Sequence, residues 1–103
     1  RRGTPDRYYE GSKGVLWVEY KYADPIPPVI DLTDSRYWLS RHQQAWLKRA
    51  YKNGVKVAVI VGSKIGGLWL PGLYWFDPID REHFMDKKLA KPQLAELIAQ
   101  EVT

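Results

Sequence analysis

The sequence predicts an α/β domain with a small mixed central β-sheet flanked by helices, and three observations carry that prediction. Two runs rich in β-branched and aromatic residues, 15–22 and 55–62, read as strands buried on both faces. Between them, Ser40-Arg41-His42-Gln43 forms a capping-box pattern that opens a helix, and Gly54 closes it as a left-handed cap. A strand, helix, strand order implies a right-handed parallel crossover, which sets residues 57–61 beside the first run.

The elements follow in chain order. Residues 1–6 are polar and turn-rich, and Pro5 biases Thr4 toward an extended conformation, so Asp6 sits where a strand begins. Arg7-Tyr8-Tyr9-Glu10 continue that strand, Gly11-Ser12-Lys13-Gly14 supply a turn, and 15–22 returns antiparallel. This hairpin brings Asp6 and Glu19 to one end, and strand alternation sets Glu19 and Lys21 side by side on one face. Residues 23–34 contain Pro25, Pro27 and Pro28, which exclude regular helix and make a long ordered arm. In the helix, Gln43, Trp46, Leu47 and Ala50 share a face, so Gln43 heads an otherwise apolar stripe laid on the sheet. Residues 65–70 and 73–76, separated by Pro71-Gly72, read as shorter strands toward the sheet edge. Residues 80–88 suit at least one helical turn, and Pro92 starts a last helix with Leu94, Leu97 and Ile98 as its buried side.

The 103 residues, 1–103, make a single domain with one modest core and no separate substrate domain. No apolar run approaches the ~20 residues that cross a bilayer, so no membrane partner is expected. A formal charge of +4 favours a polyanionic partner. Five tryptophans and seven tyrosines supply core volume and stacking surfaces; Trp17, Trp38, Trp69 and Trp75 are expected in the core. The lack of cysteine excludes disulfides, thiolate metal sites and a cysteine nucleophile, and is compatible with a reducing cytoplasm, the expected location. Position 1 is an arginine with no signal-peptide pattern, consistent with a processed chain or with upstream residues absent here. His42 and His83 have no recognisable zinc-ligand spacing.

Pro5-Asp6 followed by Glu19-Tyr20-Lys21 resembles the signature of the PD-(D/E)XK nuclease superfamily. Leu39-Ser40-Arg41-His42-Gln43, then Trp46, Leu47 and Gly54, is similar to the helix that follows that signature in the virus-type replication-repair nucleases (VRR-NUC), and Arg2-Gly3-x-Pro5-Asp6 matches the start of the same branch. The matches span positions 2 to 62. The resemblance implies a restriction-endonuclease-like core, a site role for Gln43, and replication, repair or nicking work on duplex or branched DNA in a phage or mobile element, in bacterial or phage-infected cytoplasm. The connection from Lys21 to Leu39 is longer and richer in proline than the compact family version. The acidic residue that family members often carry on a helix before Pro-Asp has no counterpart here.

The chemistry suits these residue types independently. Two carboxylates at one end of a hairpin, Asp6 and Glu19, can hold Mg²⁺ or Mn²⁺ through oxygen, with the backbone carbonyl of Tyr20 as a third ligand. Lys21 would hold the attacking water or neutralise charge on the phosphate, and Gln43 would orient that water or anchor Lys21. Taken singly, the residues have plainer explanations: an i, i+2 charge pair for Glu19 and Lys21, a turn for Asp6, a capping partner of Ser40 for Gln43. Arg36, Arg41, Lys48, Arg49, Lys52, Lys56 and Lys64 are basic residues able to flank the site and touch phosphates. The expectation is a Mg²⁺- or Mn²⁺-dependent DNA endonuclease, junction-resolving or nicking. The alternatives are a non-catalytic nucleic-acid-binding domain of the same fold and a protein-interaction domain. Cutting two strands from so small a domain calls for a homodimer, with the 23–34 arm and the 68–76 segment as the expected interface.

Overall fold

The structure, a computed structural model, describes residues 2–103. Strands β1 (Arg7–Gly11) and β2 (Gly14–Tyr22) form the expected hairpin around Ser12 and Lys13. Gly14 takes a φ of +114°, a conformation that costs any other residue strain. Strand β3 (Val29–Ile30), helix α1 (Arg41–Lys52), strands β4 (Lys56–Ser63) and β5 (Gly66–Pro71), a 3₁₀ turn (Tyr74–Phe76), strand β6 (Ile79–Asp80) and helices α2 (Arg81–Lys87) and α3 (Lys91–Val102) follow.

The main sheet has the order β1-β2-β4-β5, parallel only between β2 and β4. Helix α1 is the crossover, and the register sets Glu19 beside Val59. The fold is therefore α/β with a mixed four-stranded sheet.

Strand alternation divides the core into two layers. On one face, Val57, Val59 and Val61 pack with Trp46, Leu47 and Ala50 of α1 and with Ile30, Leu32, Trp75 and Phe84. On the other, Leu16, Val18, Ala58 and Ile60 meet α3. Each fully buried aliphatic side chain contributes roughly 1.5–3 kcal/mol, so the two layers, rather than helix propensity, hold α1 and α3 in place. The buried stripe of α3 runs through Leu94, Ile98 and Val102, while Leu97, expected on that stripe, is half-buried outside this cluster. Lys13 N–H donates to the Val102 carbonyl at 2.8 Å, and Lys56 Nζ donates to the Glu101 carbonyl, which ties down the end of α3.

Two segments depart from expectation. Residues 73–76 are not a strand: Gly72, at φ +62°, turns the chain against the Tyr51 ring. The backbone then curls into the 3₁₀ turn so that Trp75 can reach full burial. The 23–34 arm is ordered as predicted, and it also forms β3, which pairs with β6. Its Ile30 and Leu32, like Leu68, Leu70 and Trp75 of the second expected interface segment, are buried in the chain's own core. The large hydrophobic side chains that those segments leave exposed are Val29, Tyr74 and Phe76. None of the described helices is long and apolar enough to cross a membrane.

Candidate active site

Glu19 is the only charged or polar residue among those described that is buried, at 1% exposure. A carboxylate taken out of water needs compensating partners. It has two, and both approach the same oxygen: Lys21 Nζ stands 3.4 Å from Oε2, and Gln43 Nε2 donates to Oε2 at 3.0 Å. The other oxygen, Oε1, is buried with no hydrogen-bond partner.

The sequence fixes the orientation of Gln43. Ser40 caps α1, its hydroxyl accepting from Gln43 N–H at 3.1 Å, while Gln43 Oε1 accepts from Ser40 N–H at 2.9 Å. With its oxygen thus engaged by the capping box, the amide presents its NH₂ end to Glu19. Gln43 serves helix and site at once. Its amide bonds to Glu19 Oε2, the oxygen that Lys21 also approaches.

Asp6 lies opposite Glu19, one place beyond the Arg7–Val18 pair of the β1–β2 register. Its Oδ2 accepts from Tyr20 N–H at 3.0 Å. That bond shows the Tyr20 peptide groups directed toward the β1 side, as does Ala23 N–H bonding the other way, to the Gly62 carbonyl of β4 at 2.9 Å. The residue facing Tyr20 in the continued register is Pro5, which has no N–H to donate. The Tyr20 carbonyl thus lacks a ladder partner from β1, while its side chain goes to the α3 face and meets Tyr9, hydroxyl to hydroxyl, at 2.6 Å. Asp6 is exposed, so the site opens to solvent on its side.

The segment before Asp6 is held by Gly3. At φ +79°, a Cβ there would stand 2.2 Å from the His42 carbonyl oxygen, so only glycine lets residues 2–5 lie on the start of α1. Arg2 reinforces this contact, its guanidinium donating to His42 Nε2 at 3.2 Å. His42 therefore braces the N-terminal segment; His83 opens α2, its N–H bonded to the Asp80 carboxylate at 2.7 Å.

Burial pushes the Glu19 carboxyl up to about 7, helped by the Asp6 carboxylate beside it and opposed by Lys21. With Glu19 ionised, two acids stand against one lysine, a local excess of negative charge that a cation would offset. The donor set of Asp6, the donorless Glu19 oxygen and the Tyr20 carbonyl is all oxygen, which fits a hard divalent ion such as Mg²⁺ or Mn²⁺. No three His, Cys, Asp or Glu side chains gather at metal-binding spacing among the described residues, so the set contains two carboxylates and no histidine.

The basic residues separate into distinct groups. Arg36 pairs with Asp34, Lys64 with Asp24, and Lys56 with the α3 terminus. Arg49 and Lys52 occupy the last turn of α1, at the opposite end of the helix from Gln43. Arg41 and Lys48 line one groove with Thr33, Ser35 and Gln44. Of the tryptophans expected in the core, Trp75 is fully buried and Trp17, Trp38 and Trp69 are half-buried. Ser40 bears on Glu19 through Gln43, because the capping box engages one end of the amide and leaves the other to meet the carboxylate. Comparison of the chain with protein-family models, with curated proteins and with solved structures finds no match.

Proposed function

We propose that this chain is a Mg²⁺- or Mn²⁺-dependent DNA endonuclease built on a small restriction-endonuclease-like core. The observation that carries the reading is the state of Glu19: buried, held by two oriented donors on one oxygen, and bare on the other, beside a second carboxylate. A buried polar atom left unpaired costs roughly 1–3 kcal/mol, and a ligand on Oε1 would recover that cost.

Asp6, Glu19 and the Tyr20 carbonyl would hold the ion. Once bound, it supplies positive charge that polarises the scissile phosphate and makes a nearby water more acidic. The chain's own groups do the rest. Gln43 holds Oε2 of the Glu19 carboxylate, which would leave Oε1 free for the ion. Lys21, whose side chain keeps 22% exposure, spans from Glu19 toward solvent, where it can donate to the attacking water and offset charge developing on the phosphate. Asp6 borders the open side by which a phosphodiester enters. One such site cuts one strand, so double-strand or junction cleavage would require a homodimer.

The test is purified protein with Mg²⁺ or Mn²⁺ on supercoiled plasmid, linear duplex, single strand and four-way junction, each with a chelator control. Chelator-sensitive cleavage that disappears in Lys21→Met is the expected result. DNA binding with no cleavage under any of these conditions would make the chain a non-catalytic nucleic-acid-binding domain instead.

A further inference from the structure

Tyr37 is the most exposed large hydrophobic side chain among the described residues, at 75%, yet the loop presenting it is tightly built. Asp31 accepts from Thr33 N–H and Oγ1 at 3.1 and 2.6 Å, and Asp34 receives Tyr37 N–H and Trp38 N–H on its carbonyl at 3.2 and 2.9 Å. Leu39 N–H returns to the Leu32 carbonyl at 3.1 Å. The Arg36 guanidinium, clamped by two 3.0 Å bonds to Asp34, stands 5.4 Å from the Tyr37 ring centre and backs one face of it. A rigid loop thus holds an aromatic ring in solvent with one side supported and most of its surface free.

Beside this loop runs a groove of about 410 Å³ lined by Thr33, Ser35, Arg41, Gln44, Ala45 and Lys48. Neither Arg41 nor Lys48 has an acidic partner among the described residues. Arg41 occupies the first position of α1, where the helix dipole disfavours a cation, and α1 has no acidic residue to offset it. Lys48 Nζ lies 4.9 Å from the ring of Phe76, itself half exposed. Cations without acidic partners, near two exposed rings, match what an unpaired nucleic-acid strand needs: charge along the phosphates and a flat surface for a base. Bases paired within a duplex are stacked on each other and offer no free face to Tyr37.

We infer that the Tyr37 ring and the Arg41–Lys48 groove bind an unpaired DNA strand, so that the preferred substrate is duplex DNA with a single-stranded branch or overhang. This rests on the nuclease reading for its placement: Tyr37 stands six residues before Gln43, so at most about 21 Å of chain separates its Cα from that of the residue bonded to Glu19. Binding itself is independent of cleavage.

The experiment is fluorescence anisotropy in EDTA, so that nothing is cut, with a labelled blunt duplex and the same duplex carrying a ten-nucleotide overhang. Wild-type protein should prefer the overhang by about tenfold, and Tyr37→Ala should remove that preference, as expected for one stacked base. Tyr37→Trp should keep it. Arg41→Ala with Lys48→Ala should flatten the log–log salt dependence of overhang binding by about 1.4, for two lost single-strand phosphate contacts. Thermal melts establish that each variant is folded. Equal affinity for the two DNAs, no binding of either, or an unchanged preference in Tyr37→Ala would overturn the inference. A Mg²⁺ cleavage assay on the same DNAs separates the two readings. A protein that prefers the overhang and never cuts keeps the platform and loses the nuclease. One that cuts both DNAs alike, with no overhang preference, keeps the nuclease and loses the platform.

Discussion

The two faces of strand β2 handle buried polar groups in opposite ways. On the α3 face the half-buried Tyr20 meets Tyr9 in a 2.6 Å hydroxyl pair, one oxygen donating to the other. Burial and that bond push the Tyr20 phenol up, so it stays protonated. On the α1 face, one residue away, Glu19 is more deeply buried, has two donors crowded on one oxygen, and leaves the other bare. The first arrangement is complete within the chain. The second leaves Oε1 open to a proton or a metal ion, and that difference is what the proposed site rests on.

The largest effect that would break this contrast is catalytic. Glu19→Gln should lower cleavage by at least about 10³-fold, since it removes a ligand charge while keeping the shape. Plasmid nicking within tenfold of wild type would show that Glu19 belongs with the tyrosines as a structural group. Tyr9→Phe, on the other face, should change cleavage less than twofold in the same assay.

The next effect is on stability. With the folded-state pKa of Glu19 near 7 and an ordinary value of 4.5 when unfolded, the folded protein binds the extra proton between those values. Its stabilising contribution is therefore complete below about pH 4.5 and lost as pH rises through 7. Urea unfolding of metal-free protein should show a loss of about 3 kcal/mol across that window from this group. Glu19→Gln should flatten the profile there. Mg²⁺ must displace the same proton, so its apparent affinity should rise with pH, nearly tenfold per unit below 7, and level off above. A pH-independent affinity would mean that the ion does not bind at Glu19.

These residues also show what was legible beforehand. The hairpin, the crossover and the Ser40 capping box are local or nearly local patterns, and alternation along β2 was enough to put Asp6, Glu19 and Lys21 at one end. Burial of Glu19 was less visible, because it depends on α1 closing over the strand from 24 residues away. The fate of residues 73–76 was misread for a related reason. Leu73-Tyr74-Trp75-Phe76 has strand-like composition, and only the core space that Trp75 fills decides that the chain curls. The pairing of β3 with β6 joins residues some fifty positions apart, and two-residue strands have no periodicity to read.

A smaller effect isolates how Gln43 is oriented. Ser40→Ala removes the cap and should cost about 1 kcal/mol of stability. Because the capping box aims the Gln43 amide, the same change should also reduce cleavage, by about three- to tenfold, although Ser40 touches neither carboxylate. Loss of stability with cleavage unaltered at a temperature where the variant is fully folded would separate the cap from the site.

The smallest effect tests the completeness of the tyrosine pair. Tyr9→Phe leaves the Tyr20 hydroxyl without its partner and should cost about 1 kcal/mol in chemical denaturation. Replacing both by Phe removes the donor and the acceptor together and leaves nothing unpaired, so the double variant should be no less stable than the single one. The coupling from that cycle should be about 0.5–1.5 kcal/mol and independent of Mg²⁺, because the pair faces α3 and not the carboxylates. A coupling that changes on adding Mg²⁺ would mean that the two faces of β2 communicate through the Tyr20 backbone, whose N–H Asp6 already holds.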